Sequence, residues 1–284
     1  MMARLRTMVQ STGEFEIRGV VPGSYYLAAN WTERGQLFTA RQAVEVGAGG
    51  LEGVTLFLQP GASLEGTVRI EGGDEGLTET VRVETPEGPR EINVRGIRVS
   101  LIGADDSPAG NSNTTVRPDG TFNFRNLAPG NYQFSITGNT NRVYLKEARL
   151  GGRDILESGL DLSGPVSSKL DVVVSTSGGR VEGMVLGSEN LPAGGSIVAL
   201  IPEARYRHLP HLYKLTTADS FGRFAIEAIA PGTYHVYAWD EIEPGSHADP
   251  EMLRVDEPRS VKIQVAERTT TSVEITVILN SRAP

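Results

Sequence analysis

Gly120-Thr121-Phe122-Asn123-Phe124-Arg125-Asn126-Leu127-Ala128-Pro129-Gly130-Asn131-Tyr132-Gln133-Phe134 is the stretch on which the fold turns. Phe122 and Phe124 lie two positions apart, so on an extended chain they share one face while Asn123 and Arg125 take the other. Leu127 adds a further apolar side chain as the chain leaves that strand. Pro129 presets φ at about −65° and Gly130 tolerates positive φ, the pairing that predicts a type II turn. Tyr132, Phe134 and Ile136 then resume the alternation. The stretch reads as strand, corner, strand.

The same string occurs twice more without gaps. One copy runs from Gly13 through Phe15, Ile17, Val20, Pro22 and Gly23 to Tyr25 and Leu27; the other runs from Gly222 through Phe224, Ile226, Ile229, Pro231 and Gly232 to Tyr234 and Val236. Phe15 to Phe122 is 107 positions and Phe122 to Phe224 is 102, the size of a domain and too long for a solenoid repeat. Tyr25, Tyr132 and Tyr234 are expected to be structural, each ring covering a core edge while its hydroxyl reaches backbone at the corner.

Sequence on either side fits the same unit. Strands are predicted to open the second and third copies at residues 63–70 and 180–186, both with a Glu-Gly pair (Glu65-Gly66, Glu182-Gly183) between apolar residues. Residues 97–102 and 197–201 read as the next strands. Apolar, largely β-branched runs at 54–58, 170–174 and 273–279 close the three units. No stretch shows convincing helical periodicity with caps. Residues 71–93 are predicted to form an inserted hairpin. Breaks at Gln59-Pro60-Gly61 and Ser177-Gly178-Gly179 divide the chain into units 1–59, 60–176 and 177–284. The first starts almost at its corner and lacks an opening strand. It is expected to be incomplete, either because the reading frame starts inside a domain or because strands come from elsewhere. The fold class is all-β, a tandem of seven-stranded sandwiches with the first one incomplete.

Composition narrows the function classes. The 284 residues carry a formal net charge of −8 with a pI near 5.2, and basic residues are scattered, which argues against a nucleic-acid partner. Cysteine is absent, removing disulfides, thiol nucleophiles and thiolate metal sites together. No run approaches the roughly 18 apolar residues of a membrane span, and residues 1–10 show no apolar core of a signal peptide.

The thrice-repeated corner string resembles the carboxypeptidase-regulatory-like domain, a transthyretin-like seven-stranded sandwich. In the third unit Ala238-Trp239-Asp240-Glu241-Ile242-Glu243-Pro244-Gly245, followed by Asp249-Pro250-Glu251, is similar to a tail found in large exported bacterial proteins. The resemblance implies a secreted, periplasmic or envelope setting and brings no catalytic residue, cofactor or metal. It also implies two alternatives to a structural array: sugar binding, because the fold is grouped with starch-binding-like domains, and service as an accessory region of a larger peptidase or outer-membrane receptor.

Candidate binding residues are few. Tyr206, His208, His211 and Tyr213 form a polar-aromatic loop that could hold a ligand. His208 and His211 as a metal pair are disfavoured by Pro210 between them and by the lack of a third ligand. Asp240, Glu241, Glu243, Asp249 and Glu251 offer oxygens suited to calcium but lack the spacing of a known calcium loop. Trp239 and Trp31 could each present a ring to a sugar, although packing is the favoured role. No Gly-x-Ser-x-Gly elbow or phosphate-cradling loop is present. Protein or polysaccharide partners are the expectation, with the oligomeric state open.

Overall fold

The computed structural model describes residues 5–73, 78–85, 88–103, 110–138, 141–162 and 168–279. The protein is all-β, with strands stacked as sandwiches. In the middle of the chain a five-stranded sheet runs in the order Arg153–Asp154, Tyr144–Leu150, Leu170–Ser175, Ala62–Glu71, Thr121–Leu127, and a four-stranded sheet in the order Leu160–Asp161, Asn131–Gly138, Ile97–Gly103, Asn111–Thr115. Phe122, Phe124, Leu127, Tyr132, Phe134, Leu64, Val99, Leu101 and Val172 form one buried cluster. The alternation read from the sequence explains it: every second residue points into the layer between the sheets.

Near the C-terminus the same plan uses seven strands. A three-stranded sheet runs Arg223–Ile229, Gly179–Leu186, Thr270–Thr276, and a four-stranded sheet runs Lys214–Thr217, Ile197–Pro202, Gly232–Trp239, Val261–Val265. Phe224, Ile226, Ile229, Tyr234, Val236, Val181 and Ile275 make its core. In both bodies the opening strand occupies the same lane. It pairs antiparallel with the corner strand (Gly66 opposite Phe122, Gly183 opposite Phe224) and parallel with the closing strand (Gly66 opposite Leu170, Gly183 opposite Val273).

At the N-terminal end, strands Gly23–Glu33 and Gln36–Val46 form an antiparallel hairpin that is extended by Gln59–Pro60. Its two-residue loop, Arg34-Gly35, has φ of 48° and 82°, the left-handed pair that a twisted hairpin favours. Here the expectation of a strand on either side fails. Residues 14–20, with Phe15 and Ile17, and residues 51–58 join no ladder. The reason is topological: in the complete bodies both segments pair with the opening strand, and no such strand lies beside them among the described residues.

Two further expectations need correction. The Pro-Gly bend is not a type II turn, because Gly23 and Gly130 have φ of 159° and 155°, nearly extended, and Gly23 and Gly232 are already the first residues of their strands. The left-handed residue sits earlier, at Gly19, Asn126 and Ala228 (φ 75°, 57° and 52°). A helix is present: Pro250–Asp256, N-capped by Asp249, whose side chain accepts from the backbone N–H groups of Glu251 and Met252. In the inserted segment Thr78–Thr85 pairs with Gly88–Arg95 as a hairpin, and its tip at 86–87 lies outside the described residues.

Candidate functional site

The corners carry most of the sequence signal, and each is built in the same way. A tight turn precedes the corner strand: Gly13, Gly120 and Gly222 donate their N–H to the carbonyls of Gln10, Arg117 and Asp219, which in turn donate to Glu14, Thr121 and Arg223. These glycines have φ of 88°, 84° and 74°, a region open mainly to glycine. The chain then reverses at the left-handed residue. Finally the corner tyrosine reaches back four positions, with Tyr25 Oη donating to the Val21 carbonyl at 2.7 Å, Tyr132 to Ala128 at 2.7 Å and Tyr234 to Ala230 at 2.9 Å. Gly232 leaves room for the Tyr234 ring, since a Cβ there would lie 3.3 Å from it, whereas one on Gly23 would make ordinary contact with the Tyr25 ring at 3.5 Å. The tyrosines differ in cover: Tyr132 and Tyr234 are 1% and 2% exposed, whereas Tyr25 is 40% exposed. Burial pushes the Tyr132 phenol up to about 12 and raises that of Tyr234 further.

Corner residues also join neighbouring bodies. Asn126, the left-handed residue of the second corner, grips the N-terminal hairpin at its loop: its Nδ2 donates to the Gly35 carbonyl at 3.0 Å and its Oδ1 accepts from the Leu37 N–H at 3.1 Å. The Gly61 N–H donates to the Leu37 carbonyl at 2.7 Å. Between the second and third bodies, Tyr144 Oη donates to Glu267 Oε1 at 2.7 Å. Within the third body, Arg268 holds the entry residue Ser177, donating its backbone N–H to the carbonyl and its Nε to Oγ, each at 3.1 Å. The turn Pro210–Leu212 lies against strand Asn131–Gly138. Burial there pushes the His211 imidazole down to about 4, although the Asp154 charge pulls the other way.

The polar-aromatic loop does not converge on one exposed patch. His208 is exposed. His211 is turned to the junction between the second and third bodies. Tyr213 Oη donates to the Arg207 carbonyl at 2.8 Å and its ring meets the edge of His247. Tyr206 is half-buried under the Arg205 guanidinium, 4.6 Å from its ring centroid. Trp239 is 1% exposed and offers no face to a ligand. It stacks on Tyr237 with centroids 5.2 Å apart, and its Nε1 donates to Asp256 Oδ2 at 2.8 Å. The helix covers that side of the strand: Leu253, Met252, Ile278 and Tyr237 pack around the indole. An Asp-Pro-Glu string, with a capping carboxylate and proline at the first helical position, is the signal that could have revealed the helix.

The acidic loop is occupied with local structure. Asp249 caps the helix, Glu251 pairs with Arg254 and Asp240 accepts from the Glu241 N–H. Among the described residues no three His, Asp or Glu side chains are grouped to hold a metal, and no helix is long and apolar enough to cross a membrane.

No family model matches the chain, and no curated protein matches it. Among solved structures it is similar to a streptococcal ancillary pilin, at 14% identity over 92% of this chain and 76% of that one, with a TM-score of 0.26. The minor pilin of Streptococcus agalactiae matches at 14% identity over 79% of this chain and 99% of its own, TM-score 0.28. A shaft pilin of Lactobacillus rhamnosus GG matches at 11% identity over 78% and 100%, TM-score 0.26. TM-scores this low tie the chain to no role of those proteins.

Proposed function

We propose that this chain is a non-catalytic structural and interaction array of an exported or envelope-associated protein. Its units, 1–59, 60–176 and 177–284, are read as carboxypeptidase-regulatory-like sandwiches that space or present other parts. The observation that carries the reading is the use of the corner and end loops: Asn126, Tyr144 and Glu267 are committed to gripping the next body. A spacer needs such joints, because short links alone fix the separation of two domains but not their angle.

Small-angle X-ray scattering tests this directly. The intact chain should scatter as a single stiff, elongated particle. Asn126→Gly combined with Tyr144→Phe should broaden the distance distribution and raise the flexible component. If the intact chain is already as flexible as the double variant, the spacer reading fails.

Polysaccharide binding remains a second reading because of Trp31, which is 50% exposed on the N-terminal hairpin with its ring 5.4 Å from that of Phe38. Retention on an immobilised polysaccharide that is abolished by Trp31→Ala and unaffected by Trp239→Phe would favour it.

A further inference from the structure

The two complete bodies define what the N-terminal one lacks. In each, the opening strand carries the same pattern: Gly61-Ala-Ser-Leu64-Glu65-Gly66-Thr-Val68 in one, Gly178-Gly-Arg-Val181-Glu182-Gly183-Met-Val185 in the other. The two glycines and the valine each have a steric or hydrogen-bonding reason. The first glycine passes over the left-handed corner residue, where a Cβ would come within 2.9 Å of Asn126 Cα or 2.7 Å of Ala228 Cα. The second lies between the first corner phenylalanine and the closing strand. A Cβ on Gly66 would meet the Phe122 ring at 2.2 Å and the Leu170 carbonyl at 2.5 Å, and one on Gly183 would meet the Val273 carbonyl at 1.9 Å. The valine two positions on donates its N–H to the turn glycine, Val68 to the Gly120 carbonyl and Val185 to Gly222, both at 2.7 Å.

The N-terminal body repeats the corner side of this lane in its structure and the closing run in its sequence. Its turn makes the same hydrogen bonds around Gly13, its reversal uses the left-handed Gly19, and Tyr25 closes the corner. Aligning the closing runs places Val54 where Leu170 and Val273 stand, and Leu56 where Val172 and Ile275 stand. Yet Phe15, Ile17, Val20, Val54 and Leu56 are only half-buried, whereas Phe122, Phe124, Leu127, Leu170 and Val172 are at most 2% exposed. Residues 5–9 do not fill the lane, since they precede the Gly13 turn as 112–116 and 214–218 precede the other two.

We propose that the N-terminal body is a strand acceptor. Its occupant is one extended polypeptide segment from outside the described residues, of the pattern Gly-x-x-apolar-Glu-Gly-x-Val. It runs antiparallel to residues 14–20 and parallel to residues 54–58, with its second glycine between Phe15 and Val54 and its valine N–H on the Gly13 carbonyl. Main-chain hydrogen bonds supply affinity, and the two glycines with the apolar residues between them supply selectivity. The inference rests on the internal repeat and stands whether or not the array is a spacer.

Hydrogen exchange on the full chain tests it, with a synthetic peptide of residues 61–71 as the probe. The peptide should slow exchange at least tenfold across 14–20 and 54–58 and leave the other two bodies unchanged. Its Gly66→Val form should need at least tenfold more peptide for the same effect. Because a free peptide pays the full entropy of association, the same segment joined ahead of residue 5 through a flexible linker provides the decisive arm; it should protect those amides without any addition. The proposal is overturned if the joined segment gives no protection, or if both peptides protect equally. Protection of the same amides on raising protein concentration alone would also overturn it, because a second copy would then be the occupant.

Discussion

At the scale of single residues, the glycines of the opening strands and the tyrosines of the corners hold the sandwiches shut. Gly183 sits where a Cβ would lie 1.9 Å from a main-chain oxygen of Val273, and backbone, unlike the tip of a side chain, cannot step aside. Gly183→Ala should therefore cost about 3 kcal/mol or more, at the severe end of overpacking, read as a lower urea midpoint for the third body. The tyrosines give a pH signature. Burial holds the Tyr132 phenol at about 12 against its usual 10.0, with Tyr234 shifted the same way. A phenol whose folded value is raised favours the folded state fully below the unfolded value, and that contribution is lost as the pH rises through the folded one. Stability should fall between about pH 10 and 12. Tyr132→Phe should remove part of that slope while costing roughly 1 kcal/mol at neutral pH for the lost hydrogen bond; Tyr25→Phe, whose ring is 40% exposed, should cost less at neutral pH. Equilibrium unfolding followed across that range separates the two cases.

At the scale of elements, the corner strand of the second body does two jobs through Asn126, and the jobs can be separated. The residue must be left-handed, with φ of 57°, and its amide must hold Gly35 and Leu37. Asn126→Gly keeps the backbone and deletes the clamp. The second body should unfold within about 0.5 kcal/mol of the parent, while the Leu37 amide should exchange at least tenfold faster by NMR. Equal exchange would show that the amide side chain is idle. Half of this arrangement is legible in the sequence. Alternation around Phe122, Phe124, Tyr132 and Phe134 is a local property, so the strands and the core can be read from it. The reversal cannot, because glycine, asparagine and alanine share its position and only the first advertises positive φ. The parallel pairing of Gly66 with Leu170 is hidden for another reason: side-chain alternation does not record strand direction. Trp239 is misplaced as a binding candidate because period-two reasoning sets it opposite Ala238, on an outer face, and a helix only seven residues long is too short to show the periodicity that would cover that face.

At the scale of the whole molecule, the question is whether the joints are fixed or conditional, and the junction between second and third bodies suggests a condition. His211, on the turn against strand Asn131–Gly138, is held neutral by burial, its pKa pushed down to about 4, with His208 and Lys214 reinforcing the depression and Asp154 opposing it. An unfolded or detached His211 would take up a proton near the ordinary value of 6.5. Between those limits the open state binds more protons than the closed one, so closure is fully favoured above about 6.5 and weakens as the pH falls toward 4. The Tyr144–Glu267 hydrogen bond spans the same junction and resists its opening. Scattering profiles recorded from pH 7.5 down to 4.5 should then show the angle between the two bodies loosening, while far-ultraviolet circular dichroism stays constant because each core remains intact. His211→Gln, which cannot charge, should hold the pH 7.5 profile throughout that range. If it loosens as the parent does, carboxylates and not this imidazole govern the joint.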